Sequence, residues 1–258
     1  MTTVHDILVR LESFAPYSLA EDWDNVGLLV GNRTQEVKKV LCALDITEKV
    51  VEEAAQIGAQ LIVAHHPLIF TSINAVTDET ATGRTIRQAI RHNISLICMH
   101  TNADCADGGV NDALASALGL TNIVSLEAGQ AKMLGRVGDL SNTMEPSAFA
   151  VHVKQALYAG GVRFVNGGKP ISRVAVGGGA CGKLMDFALA KGAQAFVIGD
   201  CSYDIMQRAE SLGLTLVDAG HFPTENPIVT VFATLIQANF PSIEAIISQV
   251  HRDCIQFV

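Results

Sequence analysis

The six cysteines, Cys42, Cys98, Cys105, Cys181, Cys201 and Cys254, include no Cys-x-x-Cys pair. That excludes the common zinc-ribbon and dithiol redox motifs, and scattered thiols without an export signal point to a reducing, cytoplasmic setting. No apolar run approaches the roughly 18–20 residues needed to cross a bilayer. The opening MTTVHDILVRLESFAP has no basic start followed by an apolar block, so it does not read as a signal peptide. No basic cluster occurs either. Lys and Arg number 18 against 26 Asp and Glu, a net charge of −8, which argues against a nucleic-acid partner. Aromatics are scarce at 5%, with a single tryptophan, Trp23, so Ala, Val, Ile and Leu must fill the core.

What is present is a hydrophobic chain, 49% apolar over 258 residues, long enough for roughly two domains of about 100–200 residues each. Val4, Ile7, Leu8 and Leu11 share one face of an N-terminal helix, and Thr3 with Asp6 forms a capping box before it. Strands then alternate with helices. Residues 40–46, 61–64 and 94–100 read as strands, and 47–57, 83–92 and 110–118 as helices. The second half repeats the plan, with strands at 172–178, 195–200 and 214–220 and helices at 183–191 and 202–212. The letters repeat too: EEAAQIGAQLIVAHH resembles DFALAKGAQAFVIGD, and ISLICMHTN matches LTLVDAGHF in pattern. Between the halves, 125–170 is less regular, with GRVGDL a strand and Pro146 opening a helix. The expected architecture is α/β: two related domains with mostly parallel strands, the first of residues 1–125 plus 222–258 and the second of 126–221.

In such sheets ligands bind at the carboxyl ends of the strands. There the chain carries imidazoles and carboxylates: His65 and His66 after LIVA, His100, Asn102 and Asp104 in HTNAD, and His221 and Glu225 in HFPTE. Adjacent residues of a regular strand face opposite sides, so His65 and His66 are expected to serve different ions of a close pair. If Pro223 opens a helix, His221 and Glu225 meet around its first turn. Three histidines and two carboxylates suit two divalent ions such as Zn, Fe, Mn or Mg. On this reading His65, His66 and His221 are terminal metal ligands, and Asp104 and Glu225 are shared between the ions. Two such ions activate water, which predicts hydrolysis. Taken singly, HTNAD also reads as an Asx-type turn and HFPTE as a plain helix start.

Other segments carry weaker signals. EDWDNVGLLVG reads either as a turn with Trp23 packed on the core or as a loop lining a pocket. GGGACGK lacks the spacing of a phosphate loop and reads as a close-packing turn. His5, His92, His152 and His251 read as surface or helix residues.

WDNVGLLVG, AHHP, HTNAD and GHFPTE, in that order, resemble the NIF-three-like family, whose bacterial members are often called GTP cyclohydrolase 1 type 2 homologues. The likeness runs through nearly the whole chain, in the short form that lacks an inserted domain. It implies two related α/β domains around a dinuclear metal centre in the cleft between them, and a ring-like homohexamer. Position by position it implies His65, His66, Asp104, His221 and Glu225 as metal ligands. It also implies attack of metal-activated water on the guanine ring of GTP, releasing formate. His100, an imidazole beside these residues in sequence, is the expected proton carrier. Phosphoester or nucleotide hydrolysis, or a non-catalytic metal-binding or scaffold role, uses the same ligand set. No guanine- or triphosphate-reading motif stands out, although Arg33, Arg84, Lys183 and Arg208 are available cations.

Overall fold

The computed structural model describes residues 1–126 and 133–258; residues 127–132, part of the stretch read as less regular, lie outside the described residues. Among the described residues the strands are β1 (Gly27–Val30), β2 (Lys39–Ala43), β3 (Leu61–Ala64), β4 (Ser95–Cys98), β5 (Thr121–Ser125), β6 (Arg136–Met144), β7 (Arg163–Val165), β8 (Ile171–Val176), β9 (Ala195–Ile198), β10 (Thr215–Asp218) and β11 (Glu244–Ile247). They build two sheets in two compact units. One unit comprises Met1–Asp107 with Ile228–Arg252, the other Gly108–Pro227 with Asp253–Val258. Residues 108–125, which the sequence reading grouped with the first domain, join the second sheet through the antiparallel pairing of β5 with β6. No helix among the described residues is long and apolar enough to cross a membrane.

The first unit holds a five-stranded sheet in the order β1-β4-β3-β2-β11. Its inner pairings are parallel, and only β1 runs antiparallel, against β4. The N-terminal helix Val4–Phe14 has the expected capping box, Thr3 with Asp6, and buries Val4, Ile7, Leu8 and Leu11. Helix Glu48–Ile57 starts at the Thr47 cap and stops at Gly58, whose φ of 69° is one that L side chains rarely adopt. Its Val50, Val51 and Ala54 pack with Ala89 of helix Ala81–Arg91 on Leu41, Ala43, Ile62, Ala64 and Leu96 of the sheet.

The second sheet has six strands in the order β5-β6-β8-β9-β10-β7. Only β8-β9 and β9-β10 are parallel; the other three pairings are antiparallel. The expectation of mostly parallel strands therefore holds for the first sheet and fails for the second, which is a mixed sheet. Alternation along β9 splits the core. Ala195 and Val197 face helices Val110–Ala117 and Pro146–Ala156, while Phe196 and Ile198 face helices Met185–Ala190 and Tyr203–Ser211.

The repeat read from the letters is physical. Gln60 precedes β3, and its Oε1 accepts from Lys38 N (2.8 Å) and Lys39 N (3.0 Å) while Nε2 donates to Gly58 O (2.7 Å). Gln194 precedes β9 and does the same: Oε1 accepts from Ser172 N (3.1 Å) and Arg173 N (2.8 Å), and Nε2 donates to Gly192 O (2.9 Å). In each unit one amide locks a helix stop to the start of the neighbouring strand.

Candidate metal centre

In the first unit the polar residues gather at the carboxyl ends of β2, β3 and β4. The ladder ends after Ala64, where the amides of His65 (3.2 Å) and His66 (2.9 Å) both donate to Leu44 O. This convergence takes the chain out of strand geometry, so the premise that adjacent histidines must face opposite sides does not apply. The two rings stand together, with centroids 4.9 Å apart. The His100 ring lies 5.2 Å from His65 and 5.7 Å from His66. One ring nitrogen from each of the three lies within 4.8 Å of the others.

The opposite nitrogens are tied down. His65 Nδ1 pairs with Met99 O at 2.8 Å, His66 Nδ1 with Asp45 Oδ1 at 2.7 Å, and His100 Nδ1 with Asp24 Oδ1 at 2.8 Å. An acceptor on Nδ1 fixes the tautomer and leaves the Nε2 lone pair for a ligand, the arrangement typical of metal-binding histidines. Asp24 also accepts from Thr101 N (3.0 Å) and from the Thr101 hydroxyl. Burial alone would raise the Asp24 carboxyl, but the His100 and Thr101 hydrogen bonds outweigh it and hold the group well below the usual carboxylate range. Asp45 is depressed in the same way: burial raises it, and bonds from His251 and His66 overcome that. Helix Thr101–Cys105 follows directly, and its Asp104 places Oδ1 3.6 Å from His65 Nε2. Asp104 and His65 are both buried.

In the second unit the site residues follow β10. Helix His221–Glu225 begins after Gly220, with Pro223 as its third residue rather than its first, so its missing N–H falls in the turn where no partner is needed. The i, i+4 spacing sets His221 Nε2 3.0 Å from Glu225 Oε2, and Asp200, after β9, pairs with His221 Nδ1 at 2.7 Å. An imidazole donates to both carboxylates only when it carries both protons. The glycine run after β8 makes room. A Cβ on Gly179 (φ 65°) would lie 2.3 Å from Glu225 Oε1, and one on Gly178 would lie 3.2 Å from Glu225 Cγ. Their amides are occupied, Gly178 N by Asn111 Oδ1 (2.9 Å) and Gly179 N by Thr224 Oγ1 (3.1 Å). GGGACGK is thus the close-packing turn the sequence suggested.

Within the first unit the structure brings together His65, His66, His100 and Asp104; within the second, His221 and Glu225. His100, expected only as a proton carrier, meets the same conditions as its two neighbours. Asp45 and Asp200 do not stand out in the sequence, and His251 reads there as a surface or helix residue. His251 is nearly buried and points Nε2 at Asp45 Oδ2, 3.4 Å away, rather than lying on the surface. The only advance signal was their position after a strand, or near the chain's end, which many turn residues share. Trp23 does not pack on the core: it is 60% exposed. Among the available cations, Arg84 pairs with Glu48 and Arg208 with Asp186.

A family model described as Duf34/NIF3 (NGG1p interacting factor 3) matches residues 2–254. A Clostridium perfringens protein named GTP cyclohydrolase 1 type 2 homolog is 33% identical over 264 residues, covering 99% of each chain. A Lactococcus lactis protein of the same name is 37% identical over 223 residues, covering 85% of this chain and 86% of its own. The crystal structure of a Bacillus cereus protein related to NIF3 superposes with a TM-score of 0.91 at 29% identity, covering 100% of this chain and 99% of that one. A match that runs nearly from end to end, on a mixed α/β fold of two sheets, places this chain in the Duf34/NIF3 family.

Proposed function

We propose that the two donor sets serve one dinuclear metal centre and that the protein is a metal-dependent hydrolase of the GTP cyclohydrolase 1 type 2 kind. One observation carries the reading: His65, His66 and His221 each have Nδ1 held by an acceptor and Nε2 close to a further donor or carboxylate. That chemistry fits divalent ions, with Zn, Fe, Mn and Mg as candidates. His65, His66 and His221 would be the terminal ligands, and Asp104 and Glu225 the carboxylates shared between ions. The bound ions would supply Lewis acidity, which acidifies a water and polarises the carbon under attack.

The chain's own residues do the rest. Asp45 and Asp200 hold the Nδ1 protons of His66 and His221, keeping Nε2 as the donor atom. The burial of His65 and Asp104 excludes bulk water, which strengthens every charge interaction there. His100 accepts at Nε2 the proton that the reacting water gives up and returns it to the leaving nitrogen, while Asp24 steadies the imidazolium. The relatives' names support GTP, or another nucleotide, as substrate. The assembly proposed with this reading is a homohexamer, which light scattering would register as six times 27.4 kDa.

The test is to load the protein separately with each metal and incubate it with GTP. Formate release supports ring opening. Free phosphate moves the reading to phosphoester hydrolysis. Neither product with any metal leaves a metal-binding role without catalysis.

A further inference from the structure

Two exposed aromatic rings stand beside the histidine cluster. Trp23 is 60% exposed and Phe70 54%, in a chain with few aromatics. Their centroids are 5.7 Å apart at an interplanar angle of 64°. Trp23 lies 6.2 Å and Phe70 6.0 Å from the His100 ring. Scattered exposed apolar side chains need no explanation, but these two are held in place by polar anchors. Asp24, next to Trp23, has a fully buried side chain bonded to His100 and Thr101. Asn25 donates from Nδ2 to Ile69 O at 2.6 Å, pinning the residue before Phe70 to the Trp23 loop. Phe70 itself sits in residues 65–80, a stretch without helix or strand, and loops of that length are uncommon in compact domains, being either functional or linker segments. Two apolar rings kept in water at a fixed distance from the donor cluster cost solvation until an apolar group covers them.

We propose that Trp23 and Phe70 form a binding platform for the planar heteroaromatic ring of the substrate, seating a purine-like base beside His100. Stacking on aromatic faces is tolerant of ring identity because every base presents a π-face. The proposal deepens the hydrolase reading and rests on it for the chemistry, but the binding step needs no metal and can be measured alone.

Trp23 is the only tryptophan, so selectively excited tryptophan emission reports on this position and no other. Guanosine titrated into metal-free protein should quench that emission saturably, while ribose 5-phosphate should leave it unchanged. Phe70→Ala should weaken guanosine binding about tenfold with an unchanged melting temperature. In metal-loaded protein, Trp23→Ala and Phe70→Ala should each raise KM for GTP about tenfold and leave metal content intact. Linear, unsaturable quenching overturns the platform, as does an equal response to ribose 5-phosphate or full guanosine affinity in Phe70→Ala. Saturable guanosine binding without product from GTP leaves the platform standing and removes the hydrolase reading. Formate release with unaltered KM in both variants removes the platform alone.

Discussion

The two units solve one problem, placing donors at strand ends, in different ways. The first spreads its donors over β3 and β4 and braces them with carboxylates: Asp45 after β2, and Asp24 ahead of β1, with its side chain fully buried. The second relies on glycine. Gly178 and Gly179 carry no side chain, and Glu225 with His221 occupies the vacated space. Where the first unit has His65 and His66 after its middle parallel strand, the second has Gly199 and Asp200, and there Asp200 becomes the brace for His221. The lesson is that a shared frame, down to the matching Gln60 and Gln194 locks, leaves the strand ends free to diverge. One end carries mostly imidazoles and the other mostly glycines.

If both donor sets serve one centre, damage to either must disable the whole. His66→Ala, in the first unit, and Glu225→Gln, in the second, should each lower GTP turnover by at least about 100-fold with unchanged circular dichroism, since ligand loss removes the chemistry outright. Full turnover in one of the two would separate the sets. His100→Ala should abolish turnover as strongly but keep the metal content of the wild type; loss of an ion would make His100 a ligand instead.

A smaller effect probes the glycine device directly. Gly179→Ala introduces a methyl 2.3 Å from the Glu225 carboxylate at a φ of 65°. It should cost about 1–2 kcal/mol of stability from backbone strain, read as a lower urea midpoint, and weaken metal binding. A neutral outcome would mean that the second unit does not depend on that empty space.

The braces should rank by burial. The Asp24 side chain is fully buried and the Asp200 side chain is 52% exposed. Asp24→Asn should reduce activity about 10- to 100-fold, and Asp200→Asn less, because water can take over part of its role. Asp24 is depressed in the fold, so the stability it adds is present above its ordinary pKa of 3.8 and lost as pH falls towards the folded value. The stability penalty of Asp24→Asn should therefore shrink as pH falls below about 4, as urea melts across that range would show. Smallest, Gln60→Ala and Gln194→Ala should each cost about 1–2 kcal/mol of stability, equally in the two units if the locks are equivalent.

Much of this was legible in the letters. The strand-and-helix alternation came through because the parallel strands are short apolar runs, as at Leu61–Ala64 before His65, and the helices between them end at glycines such as Gly58. The candidate donors stood out only in combination, since a single histidine near a strand end is more often structural and three such clusters at corresponding strand ends are not. The braces were not. Asp24 lies 76 residues from His100, and His251 lies 206 from Asp45, so only folding makes them partners. The antiparallel half of the second sheet was hidden as well. Its strands β5, β6 and β7 are exposed or only partly buried along most of their length and lack the continuous apolar run of the buried parallel strands, and the register of β6 against β8 is set by contacts far apart in sequence.

Elemental analysis of the purified protein after saturation with a divalent ion, run on the wild type, His66→Ala and Glu225→Gln side by side, tests the shared centre most directly. A shared centre gives two ions per wild-type chain and a loss in both variants. Two independent sites, or none, would contradict it: one ion surviving at full affinity whichever donor set is damaged, or no ion in the wild type at all.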